Sequence, residues 1–155
     1  MNRLSLRKGA AADAPSITAL MNYEIRTGLA IWRYAERQEE DVEEMLSFRI
    51  ESGHGVYVAE IEGEIVGWAS YGPFRTGEGY ARSMEHSVHV SHEHRRKGIA
   101  RMLLSRLLDH ADAAGVHAMV GGIDSTNTGS IALHSKLGFV EVGNLPEVGW
   151  KFDRW

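Results

Sequence analysis

Residues Val88-His89-Val90-Ser91-His92-Glu93-His94-Arg95-Arg96-Lys97-Gly98-Ile99-Ala100 constrain this chain more than any other stretch. An alternating segment runs into a basic turn with one glycine, and an apolar-striped segment follows from Ile99 to Ala114. A strand, a tight turn and a helix start together predict an anion site. The first N–H groups of a helix have no partner inside it, and the helix dipole favours negative charge there. Arg95, Arg96 and Lys97 add formal positive charge. Gly98, lacking a Cβ, lets a phosphate come close to the main chain. The local expectation is a pyrophosphate cradle; an ordinary solvated strand–helix loop carries the same composition. No Gly-x-x-x-x-Gly-Lys-Ser/Thr or Gly-x-Gly-x-x-Gly run occurs, which removes the common mononucleotide and dinucleotide loops.

At 155 residues, one domain spanning 1–155 is the default. The net charge of −4 argues against bulk nucleic-acid or membrane binding, so the basic cluster suits one small anionic ligand. No apolar run reaches the ~20 residues of a membrane span. Met1 to Arg7 lacks the apolar centre of a secretory signal, and a cytoplasmic location is expected. The chain has no cysteine, which excludes disulfides, thiolate metal sites and a cysteine acyl-enzyme. Any acyl transfer then passes directly between substrates or uses another nucleophile.

The apolar periodicity gives an α/β order. Leu4 to Arg7 reads as a strand, and Asp13-Ala14-Pro15 starts a helix with Asp13 as its cap. That helix turns Ile17, Leu20, Met21 and Ile25 inward. A second helix spans about Glu39 to Ser52, with Val42, Met45, Leu46 and Ile50 inward. Val56 to Glu60 and Ile65 to Tyr71 form a hairpin turning at Glu62-Gly63. Arg82 to Val90 is the next strand. The long helix buries Ile99, Met102, Leu103, Leu107, His110, Ala111 and Ala114. Ala118 to Ile123 is a strand, Thr128 to Leu137 a helix, and Phe139 to Val142 a further strand.

Arg95-x-x-Gly98-x-Ala100 resembles the Arg/Gln-x-x-Gly-x-Gly/Ala turn of the GNAT acetyltransferases, and the element order is similar to theirs. Glu85-His86-Ser87-Val88-His89-Val90 resembles the Glu-His-Ser-Val-Tyr-Val strand of the phosphinothricin and methionine sulfoximine N-acetyltransferases. Asn127 to Phe139 is similar to their Asn-x-x-Ser-x-x-Leu-His-x-x-Leu-Gly-Phe helix, and Pro146 to Trp155 to their Pro-x-Val-Gly-x-Lys-Phe-Gly-Arg-Trp segment. Ala30-Ile31-Trp32 and Ala69 to Arg75 also fit. The resemblance implies an α/β fold (α+β in some schemes): a mixed central sheet with splayed central strands, flanked by helices. The family's last strand, which follows the Arg-Trp, is expected to be missing from this chain.

Acetyl transfer to an amine needs a neutral nucleophile, donors aimed at the oxyanion, and a proton for the departing thiolate. The resemblance implies that Glu85 is the base. An ordinary Glu titrates near 4.3, so burial or a relaying water has to assist it. Strand alternation puts Glu85, Ser87 and His89 on one face and His86, Val88 and Val90 on the other. His134 stands where the resembling enzymes place a residue beside the coenzyme sulfur, and imidazole titrates near neutrality. A half-buried structural histidine is the plain alternative. For acetyl-CoA, the resemblance implies main-chain contacts from Val88, His89 and Val90. The turn Arg95, Arg96, Lys97, Gly98, Ile99 and Ala100 would take the pyrophosphate, and Asn127 and Ser130 the arm; a helix N-cap is an equally natural role for Asn127. No metal is expected, because His86 and His89 point apart and no helical His pair occurs.

For the acceptor, Arg75 suits a carboxylate, and Trp32, Phe74 and Tyr80 suit an apolar wall. The relatives carry Arg directly after the aromatic at Tyr80, whereas this chain has Ala81 and then Arg82. Either a bulge restores Arg82 to the pocket or that carboxylate contact is absent. The expected activity is direct N-acetylation of a small amino-acid analogue of the phosphinothricin, methionine sulfoximine or methionine sulfone type. The resemblance implies a homodimer with no nucleic-acid or membrane partner. The alternatives are transfer to a polyamine, an antibiotic, a protein N-terminus or lysine, and a non-catalytic acyl-CoA-binding module.

Overall fold

The computed structural model describes residues 3–155. Met1 and Asn2, the start of the segment read as lacking a secretory centre, lie outside the described residues. Five strands form one sheet in the order β1-β2-β3-β4-β5. They are β1 (Leu4–Lys8), β2 (Val56–Ile61), β3 (Glu64–Pro73), β4 (Ser83–Val90) and β5 (Ala118–Val120). The first four are antiparallel, and β5 runs parallel to β4. The hairpin between β2 and β3 turns where expected. Glu62 and Gly63 both have positive φ, 54° and 84°, which matches the strand twist of a tight two-residue turn.

Alternation along the strands builds two cores. Val56, Val58 and Trp68 face α1 (Ala14–Thr27) and α2 (Glu39–Glu51), where Ile17, Met21, Val42 and Leu46 are buried. Tyr57, Ala59, Ala69, Tyr71 and Met84 face α3 (Ile99–Ala113), which buries Ile99, Leu103, Leu104, Leu107 and Ala111. A last helix, α4 (Thr128–Lys136), follows β5. Among the described residues, no helix is long and apolar enough to cross a membrane.

Some sequence expectations shift. Met102 and Ala114 are exposed, and Leu104 takes the inward position, because the stripe rotates toward β2 and β3. Ile50 is also exposed. Asp13 occupies the N-cap position of α1, as expected, but its side chain makes no cap bond. Its carboxylate grips Arg7 at 2.8 Å through both oxygens and accepts from the Ala10 amide, tying β1 to the helix entry. Phe139 to Val142 joins no ladder, and Val140 and Val142 lie in solvent. An alternating apolar pattern is not a strand until a neighbour supplies hydrogen bonds.

Candidate active site

The geometry of the site follows from how far β4 is paired on each side. Against β3 its register runs from Pro73↔Met84 to Gly67↔Val90. Against β5 it stops after Ser83↔Ala118, Met84↔Met119 and Glu85↔Val120. Among the described residues, the edge from His86 to Val90 therefore has no strand partner. Bonds from Ser91 N to Val66 O (2.8 Å) and Phe74 N to Ser83 O (3.1 Å) mark the odd-numbered residues of β4 as those that exchange main-chain bonds with β3. The N–H groups of Val88 and Val90 thus face the open edge. That of His89 does not: it turns toward Trp68 on β3. The His89 ring, too, is spoken for. It stacks on Trp68 with centroids 5.5 Å apart, and burial pushes its titration down to about 4.

The turn after β4 carries the residues expected to form the anion site. Gly98 adopts φ +80°, and a Cβ there would meet nothing within 4 Å. Among the described residues, the amides of Arg96, Lys97 and Gly98 find no acceptor. Arg96 and Lys97 are exposed and hold no ion pair among the described residues. Ile99 buries its side chain, so it and Ala100 offer only their helix-start N–H groups. Free amides, a left-handed glycine and two loose cations fit a diphosphate. Arg95 departs from the expectation. It donates to Glu24 Oε2 at 2.6 Å and to Val90 O at 3.4 Å, so its charge is already matched. Glu24 is buried in α1 and also accepts from the Ala30 amide, at 3.3 Å. Nearby, Lys151 donates to Gly28 O and Ile31 O at 2.7 and 2.6 Å.

Glu85 and His134 lie on opposite faces of the sheet. Glu85 pairs with Gly72, shares the face of Trp68 and Ser70, and is exposed. His134 in α4 is buried against His86 and Phe139. The backbone of Gly121-Gly122, just past β5, runs between the two. A Cβ on Gly121 would stand 3.0 Å from His86 Nε2, and one on Gly122 would stand 3.5 Å from Glu85 Oε1.

The proton positions of the histidine pair follow from the network. His134 Nδ1 lies 2.7 Å from Ser130 O, which only accepts, so Nδ1 carries a proton. In the neutral ring Nε2 is then the lone pair, and His86 Nε2 donates to it at 3.0 Å. This leaves His86 Nδ1 as a buried acceptor without a partner. Burial, reinforced by the charge His134 would carry, pushes His86 down to about 4 and keeps it neutral. Sequence reasoning placed His86 on the correct face but gave it no role. Its signal was the alternation that separates it from His89.

The remaining expected residues divide. Asn127 caps α4, its Oδ1 accepting from Ser130 N at 3.1 Å. Ser130 Oγ lies 3.3 Å from His134 Nδ1. Trp32 packs under Gly149, and Arg75 stacks on Phe74 at 5.4 Å in the exposed loop that also carries Tyr80. Arg82 sits exposed in the turn before β4, and its carbonyl accepts from His117 and Ala118. The structure does not bring Arg82 into contact with Glu85. Arg49 escaped sequence reasoning altogether: from the end of α2 it reaches Ser70, beside Gly72. No group of three or more potential metal ligands occurs among the described residues.

Residues 20–139 match the acetyltransferase (GNAT) family. The chain is 40% identical over 152 residues to the L-methionine sulfoximine/L-methionine sulfone acetyltransferase of Pseudomonas aeruginosa, covering 97% of this chain and 88% of that one. Among solved structures, a ribosomal-protein-alanine N-acetyltransferase from Brucella melitensis superposes with TM-score 0.94 at 43% identity, covering 97% and 93% of the two chains. A Salmonella typhimurium acetyltransferase with its cofactor acetyl-CoA superposes with TM-score 0.96 at 39% identity, covering 99% and 89%.

Proposed function

The chain belongs to the GNAT acetyltransferase family, and on that premise we propose that it acetylates the amine of a small amino-acid analogue of the methionine sulfoximine, methionine sulfone or phosphinothricin type. Transfer is direct, which agrees with a chain that has no cysteine to carry the acyl group. The observation that carries the reading is the unpaired edge of β4 at His86–Val90 leading into the Gly98 turn. When bound, acetyl-CoA supplies an acetyl thioester as the electrophile.

The turn amides of Arg96, Lys97, Gly98, Ile99 and Ala100, with the Arg96 and Lys97 side chains, hold the diphosphate. Arg95 holds the turn in place through Glu24 rather than binding phosphate itself. Val88 and Val90 offer N–H groups along the open edge to the amide arm and the thioester oxygen. Asn127 spends its Oδ1 on the helix cap and keeps its NH2 for the arm; Ser130 stands one turn further on. Glu85 takes the proton of the acceptor amine, directly or through a water. The reading gives His134 the protonation of the departing sulfur; because its ring nitrogens rest on Ser130 O and His86 Nε2, the step requires the imidazolium form with one N–H released from these partners. Trp32, Phe74 and Tyr80 wall the acceptor, with Arg75 and Arg82 as its charged rim. The reading extends to a cytoplasmic homodimer. Exposed Val142, Leu145, Val148 and Phe152 give a second copy apolar surface to cover, and a monomer mass in solution would refute that extension.

The second reading is transfer to a protein's amino-terminal amine, suggested by the Brucella relative, which is named a ribosomal-protein-alanine N-acetyltransferase. Thiol release from acetyl-CoA separates the two when methionine sulfoximine, phosphinothricin and an alanine-ended peptide are assayed side by side. Turnover with the amino-acid analogues is expected. Turnover with the peptide alone would overturn the first reading, and coenzyme binding without turnover on any amine would overturn both.

A further inference from the structure

We propose that Arg49 anchors the acceptor's α-carboxylate, which makes the acceptor a free α-amino acid rather than any amine of suitable shape. The inference rests on the reading above that the Glu85 face of the sheet is the acceptor side.

Arg49 lies in the last turn of α2 and is half-buried over β3. Its guanidinium donates to Ser70 Oγ. A Cβ on Gly72 would stand 3.2 Å from Arg49 Nε and 3.5 Å from Nη2, so the guanidinium lies directly over the Gly72 backbone. Gly72 is the register partner of Glu85, and Ser70 that of Ser87. Arg49 therefore stands one strand away from the proposed base, on the same face.

Its charge is unmatched. Among the described residues no carboxylate lies within 4.0 Å of it, and none within that distance of Arg37. Arg37 is a second guanidinium in the same layer. It touches the Met45 sulfur, and its buried Nε has no partner. Burial lowers the titration of Arg49, and the Arg37 charge lowers it further, while Glu85 works the other way. Two partly buried cations with spare donors are costly unless an anion joins them. A guanidinium presents a fork of donors that matches a carboxylate, and Ser70 uses only part of it.

An α-amino acid fits both groups at once. Its amine and carboxylate are attached to one carbon, and neighbouring strands stand about 4.8 Å apart. A carboxylate on the Arg49 fork therefore leaves the amine on the Glu85 side. Arg75 is less suited to the anchor role, because it is exposed and stacked on Phe74.

The test compares methionine sulfoximine with its methyl ester in the wild type, Arg49→Met, Arg49→Lys and Arg75→Gln. In the wild type, kcat/KM for the acid should exceed that for the ester by at least about 10-fold, the scale of one lost charged hydrogen bond. Arg49→Met should raise KM for the acid by a similar factor and leave the ester and the acetyl-CoA affinity unchanged. Arg49→Lys should recover part of the loss, and Arg75→Gln, which removes a rim charge and so lowers the rate with both substrates, should keep the acid-to-ester ratio of the wild type. A wild type that treats acid and ester alike overturns the anchor without any variant having to fold. So does an Arg49→Met enzyme that slows both substrates equally, or a preference lost in Arg75→Gln instead; in these cases the acetyltransferase reading stands. A wild type that acetylates neither compound, nor methionine sulfone nor phosphinothricin, overturns that reading, and the anchor with it.

Discussion

Replacing Gly98 with Ala separates the backbone's role in the turn from its role in binding. Gly98 sits at φ +80°, where an L-residue with a Cβ is strained by about 1–2 kcal/mol. The added Cβ meets nothing within 4 Å, so no clash adds to that cost. For a chain of this length, the melting temperature should fall by roughly 2–8 °C. That strain burdens the free and the bound protein equally, so by itself it leaves the affinity for coenzyme unchanged. If a diphosphate rests against the main chain here, the methyl group stands in its way. The dissociation constant of CoA, measured by calorimetry, should then rise about 10-fold, equivalent to ~1.4 kcal/mol. Acetylpantetheine has no diphosphate, and its affinity should hold within about 2-fold. Equal weakening of both ligands, or a lowered melting temperature with CoA affinity intact, would refute the placement of the diphosphate at this turn.

Other perturbations test other parts of the account. Glu85→Gln should lower kcat by about 10²–10⁴-fold and leave the melting temperature unchanged, because the side chain is exposed and unpaired; a rate within a few-fold of wild type removes Glu85 as the base. Lys151→Met leaves Gly28 O and Ile31 O without their charged donor and should cost about 2–4 kcal/mol in urea unfolding, whereas a loss under ~1 kcal/mol would show that water replaces it. His86 is held neutral down to about 4, whereas in the unfolded chain it takes a proton near 6.5. The unfolded state therefore binds more protons between those values, and stability falls as the pH drops from 6.5 to 4, by at most about 3 kcal/mol from this residue. His86→Phe should flatten part of that slope, and an unchanged slope would contradict the neutral buried pair.

The sequence disclosed what depends on neighbours along the chain. Alternation in β4 separated Glu85 from His86, the Glu62-Gly63 pair marked the hairpin, and the basic glycine turn marked the start of α3. What it hid depends on neighbours across the fold. Arg49 closes an acidic helix and reads as a solvated cation at a helix C-terminus; only the packing of α2 on β3 sets it over Gly72. Arg95 belongs by position to the basic glycine turn, yet Glu24, 71 residues earlier, claims it. Met102 and Leu104 are nearly equivalent in hydrophobicity, and the direction in which α3 rolls on the sheet decides which of them is buried. Asn127 and Ser130 carry the spacing that the resemblance assigns to a coenzyme contact, and the structure makes them a helix cap and its partner.

Amide hydrogen exchange with and without acetyl-CoA bears most directly on the central claim, that the unpaired edge of β4 and the turn beyond it receive the coenzyme. The account predicts new protection at Val88, Val90 and the Arg96–Ala100 amides, with little change at His89, whose N–H is already bonded to β3. Protection confined to other surfaces, with Val88, Val90 and Gly98 exchanging as before, would contradict it.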